Sequence, residues 1–209
     1  QITDRAVFSN RLYHDFCSLA LTGYVQMDTV HSSRESKKTL LTMFFTKEKL
    51  FLAFLMNRCT KGAVRLVFDR LEKRMGTYEF ASVFEYILTD RGSEFGDPDA
   101  LETGVNGIQR SSIYYCDPMQ SGQKGGLEQA HTMLRMILPK GTCFEFLTQW
   151  DINLIVNHIN STPRESLGGR TPYSVALETL GEEVLNAFQL RPIAPDEVNL
   201  TPKLIRFNH

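Results

Sequence analysis

Cysteine is scarce in this 209-residue chain, and its four copies, Cys17, Cys59, Cys116 and Cys143, are scattered without a Cys-x-x-Cys pair or zinc-ligand spacing. That excludes a disulfide framework and a structural zinc site, and predicts reduced thiols in a cytoplasmic protein. Eight prolines and 14 glycines are too few for a collagen-like or low-complexity chain. Long hydrophobic runs are missing too. Leu50 to Met56 is the longest uncharged apolar stretch, at seven residues, against about 18 for a membrane span, so no membrane partner is expected. No basic segment followed by an apolar run and a cleavage site is visible, and the chain opens on Gln1; a fragment of a longer protein without a signal peptide is the expectation.

What is present is ordinary globular material, 42% hydrophobic and 22% charged, with a net charge of −1. The charge is unevenly spread. Between His31 and Arg74 stand 11 Lys and Arg against four Asp and Glu, which suits a polyanion lying along one face. Three short β-rich runs, Tyr24 to Val30, Thr39 to Thr46 and Leu50 to Asn57, predict an antiparallel meander. From Thr60 the period becomes helical, with Ala63, Val64, Val67 and Leu71 on one face and an end near Gly76. Short strands at Tyr86 to Thr89 and Ile113 to Cys116 then alternate with helices, an α/β pattern. The Gly-rich stretch Met119 to Gly126 predicts a flexible, unanchored loop, followed by a helix from Leu127 that Pro139 stops. Thr148 and Asp151 form a capping box for another helix, and Pro172 to Leu180 reads as a further one. The expected organisation is an N-terminal linker or helix over 1–20, a core over 21–180 and a C-terminal extension over 181–209.

Three acids stand out by position: Asp28 inside the first strand, Asp90 just after a later strand, and Glu128 early in a helix behind the loop. An acid within a run such as VQMDTV is costly to bury unless paired or metal-bound. Two strand-borne aspartates and a helix-borne glutamate supply the hard oxygen donors that two magnesium ions about 4 Å apart require. Phosphoryl transfer at DNA uses such a pair, one ion activating a water or 3′-hydroxyl and the other neutralising the leaving oxygen. Removing one carboxylate is expected to relieve like-charge repulsion, so that Asp28→Asn keeps the fold or raises its melting temperature in EDTA.

Four blocks carry a family resemblance: VQMDTV, LTDRGSEF, DPMQSGQKGGLEQAHTMLRMILPKGT and NHINSTPRESLGGRTPYSVA, together spanning Gly23 to Leu180. The chain resembles the catalytic core of the retroviral-integrase superfamily, and most closely the insertion-sequence transposases of the IS-thirty family. The resemblance implies an RNase H-like α/β fold, a five-stranded mixed sheet flanked by helices on both faces, with Asp28, Asp90 and Glu128 as an acidic triad for Mg2+ or Mn2+. It implies metal-dependent cleavage at element ends and joining of the freed 3′-hydroxyl to target DNA, by a homo-oligomer assembled on that DNA. Pro139 to Thr142 match the family's PKGT block, and Asn160, Pro163, Leu167, Gly168, Thr171 and Pro172 match its downstream block. The family's N-terminal helix-turn-helix region has no counterpart here.

Two departures stand beside the match: Leu127 and Gln129 flank Glu128 where the family usually has asparagines, and Gln120-Ser121-Gly122 replaces a loop that commonly carries an aromatic. Arg135, at i+7 from Glu128, is the expected phosphate contact, with Lys124, Lys140 and His131 as further DNA-facing candidates; a structural histidine is the plainer reading of His131. A domesticated or decayed integrase-like domain, acting in DNA or protein binding, is the alternative function.

Overall fold

The computed structural model describes residues 1–205; 206–209, the end of the expected extension, lie outside the described residues. In chain order the elements are α1 (Tyr13–Ser18), β1 (Val25–His31), β2 (Thr39–Phe45), β3 (Leu50–Met56), α2 (Lys61–Met75), α3 (Thr77–Val83), β4 (Tyr86–Thr89), α4 (Pro98–Glu102), β5 (Ser112–Tyr115), α5 (Gly125–Ile137), α6 (Gln149–Asn160), α7 (Pro172–Thr179) and α8 (Glu182–Ala187). The sheet order is β3-β2-β1-β4-β5. The first three strands form the expected antiparallel meander, and β4 and β5 continue the sheet parallel to β1.

Every residue of β2 (TLLTMFF) is buried, as expected of a strand covered on both faces. On one face Gln26, Thr42 and Phe44 meet α5. On the other, Phe45 packs against Phe84 and Phe188. β3 is an edge strand, whose unpaired amides invite foreign pairing. Two amide side chains of α6 close it. Asn160 accepts from the Phe51 amide at 2.9 Å and donates to the Phe51 carbonyl at 2.7 Å, while Gln149 does the same for Leu55 and Ala53. Asn160, a member of the downstream block, is therefore a buried strap on the sheet edge. The capping box forms as expected, Thr148 and Asp151 bonding reciprocally at the start of α6.

Two local expectations change. Met119 to Gly126 is not an unanchored loop: Ser121–Lys124 form a turn of 3-10 helix, Gln123 bonds both the amide and the carboxylate of Asp117, and Lys124 is buried. Gly126 lies against the Phe44 ring, which a Cβ would strike. The glycine there permits close approach of α5 to the sheet rather than freedom of the loop, and the helix starts at Gly125 instead of Leu127. The helix α3 has no counterpart in the sequence reading, because a single buried residue, Phe80, leaves no periodic signal over seven positions.

Candidate active site

The pairing of β1 with β4 brings the two aspartates together. Met27 stands opposite Thr89 in parallel register, so the residues that follow them, Asp28 within β1 and Asp90 just past β4, emerge side by side, about one strand spacing of 4.8 Å apart. Thr89 Oγ1 donates to the Met27 carbonyl at 3.0 Å and locks that register. Asp28 is held by its neighbours: Oδ1 accepts from the Thr29 amide at 2.7 Å, and its carbonyl accepts from Thr42 Oγ1 at 3.2 Å. Asp90 Oδ1 accepts from the Gly92 amide at 2.8 Å. The remaining oxygen of each carboxylate turns to a single cation. Lys124 Nζ lies 2.7 Å from Asp28 Oδ2 and 3.7 Å from Asp90 Oδ2, and also donates to the Met27 carbonyl at 3.3 Å.

Burial pushes the Asp90 carboxyl up from its usual range; the Lys124 charge opposes this, and the Asp28 carboxylate adds to it. Like charges held this close cannot both ionise freely. The pair lines a cavity of about 290 Å³ together with Asp117 to Ser121. Glu128 is exposed on α5, four residues beyond Lys124, and makes no side-chain bond to either aspartate among the described residues. No three His, Cys, Asp or Glu converge closely enough to hold one metal ion among the described residues. Asp28 and Asp90 present hard oxygen donors as a pair around Lys124, with the third carboxylate standing outside it.

The other candidates fall in different places. Lys124, expected to face DNA from a loop, is instead the buried counter-ion of the acid pair. His131 bonds Thr42 Oγ1 through Nε2 at 2.8 Å and stands edge-on to Phe51. Since the one Thr42 proton goes to the Asp28 carbonyl, Nε2–H of His131 is the donor. Burial, with the Lys124 and Arg135 charges, drives its imidazole down to about 4, so it is neutral at pH 7. Arg135 donates to the Leu138 and His31 carbonyls at 3.2 and 3.4 Å, tying the end of α5 to the end of β1. Lys140 is exposed in the Pro139 to Thr142 turn.

No protein-family model matches the chain. Over 88 residues, 41% of its length, it is 32% identical to the transposase InsI for insertion sequence element IS30A of Escherichia coli, a match spanning 21% of that protein. Over 100 residues, 48% of its length, it is 34% identical to the transposase for insertion sequence element IS1086 of Cupriavidus metallidurans, spanning 28% of that protein. Over these stretches the chain is similar to insertion-sequence transposases. It matches less than a third of the length of either relative. The catalytic core domain of BIV integrase superposes with a TM-score of 0.52 at 23% identity, covering 75% of this chain and 94% of that domain. The chain therefore has the RNase H-like fold of that catalytic core.

One acid beside the pair escaped the sequence reading. Glu94 accepts from Thr29 Oγ1 at 2.9 Å, directly after Asp28, and its carboxylate fills the space a side chain at Gly92 would need. Burial and this carboxylate push the Cys59 thiol up to about 11, leaving it unreactive at neutral pH. The signal was available in LTDRGSEF, where a second acid follows Asp90 by four residues. All four cysteines are free, and no helix among the described residues is long and apolar enough to cross a membrane.

Proposed function

We propose that this chain is the catalytic core of a DNA transposase, in which Asp28, Asp90 and Glu128 hold Mg2+ or Mn2+ and DNA is cut at element ends and joined to a target through the freed 3′-hydroxyl. The observation that carries this reading is the convergence of Asp28 Oδ2 and Asp90 Oδ2 on one positive charge. Carboxylate oxygens suit hard divalent cations, whereas thiols and imidazoles favour softer ones. The bound ions would supply Lewis acidity, easing deprotonation of a water or 3′-hydroxyl and neutralising the leaving oxygen.

The chain's own groups hold the carboxylates ready for this. The Thr29 and Gly92 amides each occupy one oxygen and orient the other, and the His131–Thr42 relay fixes the backbone at Asp28. Lys124 neutralises the pair, and a bound cation would take over that role at Asp28. Glu128, exposed on the first turns of α5, would supply the third carboxylate. Arg135 and Lys140 contact the DNA backbone, and the active form is a homo-oligomer on DNA in the bacterial cytoplasm.

The test is strand transfer with Mn2+ on duplexes ending in the inverted repeats that flank the gene, comparing the wild type with Asp28→Asn, Asp90→Asn and Glu128→Gln. Joined products from the wild type and none from the three variants are expected. A wild type that binds these ends but never joins them favours the alternative of a decayed or domesticated binding domain. Full activity in Asp28→Asn removes the acidic site.

A further inference from the structure

The loop that follows β1 carries a second feature, which rests on the proposed action on DNA and goes beyond the acidic site. Residues of this loop, of β2 and of the segment before α2 enclose an open concavity of about 450 Å³ with no carboxylate in its lining. Four cations line it, Arg34, Lys37, Lys38 and Arg58; of these Arg34, Lys37 and Arg58 are exposed and make no salt bridge or side-chain hydrogen bond among the described residues. Cations gathered on one concave surface raise the local positive potential and attract an anion. The α2 helix, 15 residues long, opens at the same concavity through its cap Thr60, and its first free amides add positive potential. Among the described residues the Oγ of Ser33, in the same lining, is the one buried side-chain oxygen or nitrogen without a partner.

The loop is built to hold this shape. Ser33 donates its amide to the Thr142 carbonyl, Ser32 Oγ accepts from the Phe144 amide, and Lys38 Nζ bonds the Glu145 and Leu147 carbonyls. The Ser33–Thr142 bond gives the PKGT block a function in the fold, and the residues just after it complete the buttress of the loop. Lys38 is thereby engaged, while Arg34, Lys37 and Arg58 stay available. From Asp28 to His31, where the concavity begins, is three residues, about 10 Å along a strand. A DNA strand carries one charge per about 3.4 Å of axis, so this spans about three phosphates.

We propose that this concavity is a backbone-phosphate subsite for the DNA strand held at Asp28 and Asp90, gripping phosphates two to four nucleotides from the reacting one. Arg34 and Arg58 give forked contacts to phosphate oxygens and Lys37 a point charge.

Anisotropy of a labelled duplex carrying the terminal repeat, measured between about 50 and 200 mM salt, tests this with three proteins. They are the wild type, the combined variant Arg34→Ala, Lys37→Ala, Arg58→Ala, and a control that removes three other exposed cations, Lys47→Ala, Lys73→Ala, Arg191→Ala. The first variant is expected to lower the log-log salt slope by about two to three units, at about 0.9 per lost phosphate contact, with the melting temperature unchanged and the control slope nearly that of the wild type. A thiol placed by Lys37→Cys should crosslink to a duplex whose thiol-bearing phosphate lies two to four nucleotides from the joined 3′ end, and not to one modified ten nucleotides away. Equal slopes for the two triple variants, or crosslinking without positional preference, overturn the subsite while leaving strand transfer by the wild type standing. A wild type without affinity for DNA removes both the subsite and the proposed function.

Discussion

Lys124 changes what a single substitution in the acid pair should do. Repulsion between Asp28 and Asp90 alone favours removal of one charge, but the Lys124 side chain is only 4% exposed and Asp28 is its nearest anion. Hydrogen bonds to charged groups contribute about 1.5–3 kcal/mol, and a buried charge that loses its partner is costly. Asp28→Asn and Lys124→Met are therefore each expected to lower stability by about 1–3 kcal/mol in EDTA, and the double variant by less than the sum. Urea titration of the four proteins checks this; a stabilised Asp28→Asn restores the simpler view that repulsion dominates. At His131 the effect is one of pH. The folded imidazole sits near 4 and the unfolded one near 6.5, so above pH 6.5 both states are neutral and nothing is lost. As pH falls, the unfolded state takes up the proton first, and stability declines until about pH 4, by roughly 3 kcal/mol at most. His131→Gln should flatten that decline, and a wild-type-like slope for the variant between pH 7 and 4.5 would exclude the histidine as its source.

Among the elements, α5 does most to assemble the site, since it carries Glu128 and begins where Lys124 enters the acid pair. Its position depends on Gly126 lying on the Phe44 ring. Helix propensity predicts that Gly126→Ala stabilises by about 1 kcal/mol. Contact with the buried ring predicts the reverse, a loss of about 1–3 kcal/mol from overpacking, and the reverse is expected here. Adding Phe44→Leu should recover part of the loss, which thermal melts of the two variants read directly. The strands β1 to β3 and the apolar faces of α2, α5 and α6 were legible from period alone, because each buries several residues at the spacing of its element. The turn before α5 was not. Its glycines read as looseness, and only the sheet lying beneath them shows that they serve contact.

At the scale of the whole molecule, the parallel half of the sheet is tied to the helices by one buried cation. Arg110, fully buried, bonds Asp69 and Glu72 at 2.7 Å each and the Leu101 and Ala100 carbonyls at 2.9 and 3.0 Å, joining α2 to α4 just ahead of β5. Arg110→Ala leaves the buried Glu72 without this cation, and a loss of about 3–5 kcal/mol is expected. Denaturant unfolding checks it; a cost below about 1 kcal/mol would show that Glu72 is satisfied by Thr77 and the Val105 amide alone. By itself the sequence determined the elements with strong periods, the three acids worth examining, the α/β class and the family resemblance, because those depend on residue type and spacing along the chain. The adjacency of Asp28 and Asp90, the burial of Lys124 between them, the exposure of Glu128 and the free cations around Ser33 were decided by tertiary structure. Each arises from contacts between segments far apart in the chain, the β1–β4 register above all, and no local pattern of residues encodes which strand a parallel strand will lie beside.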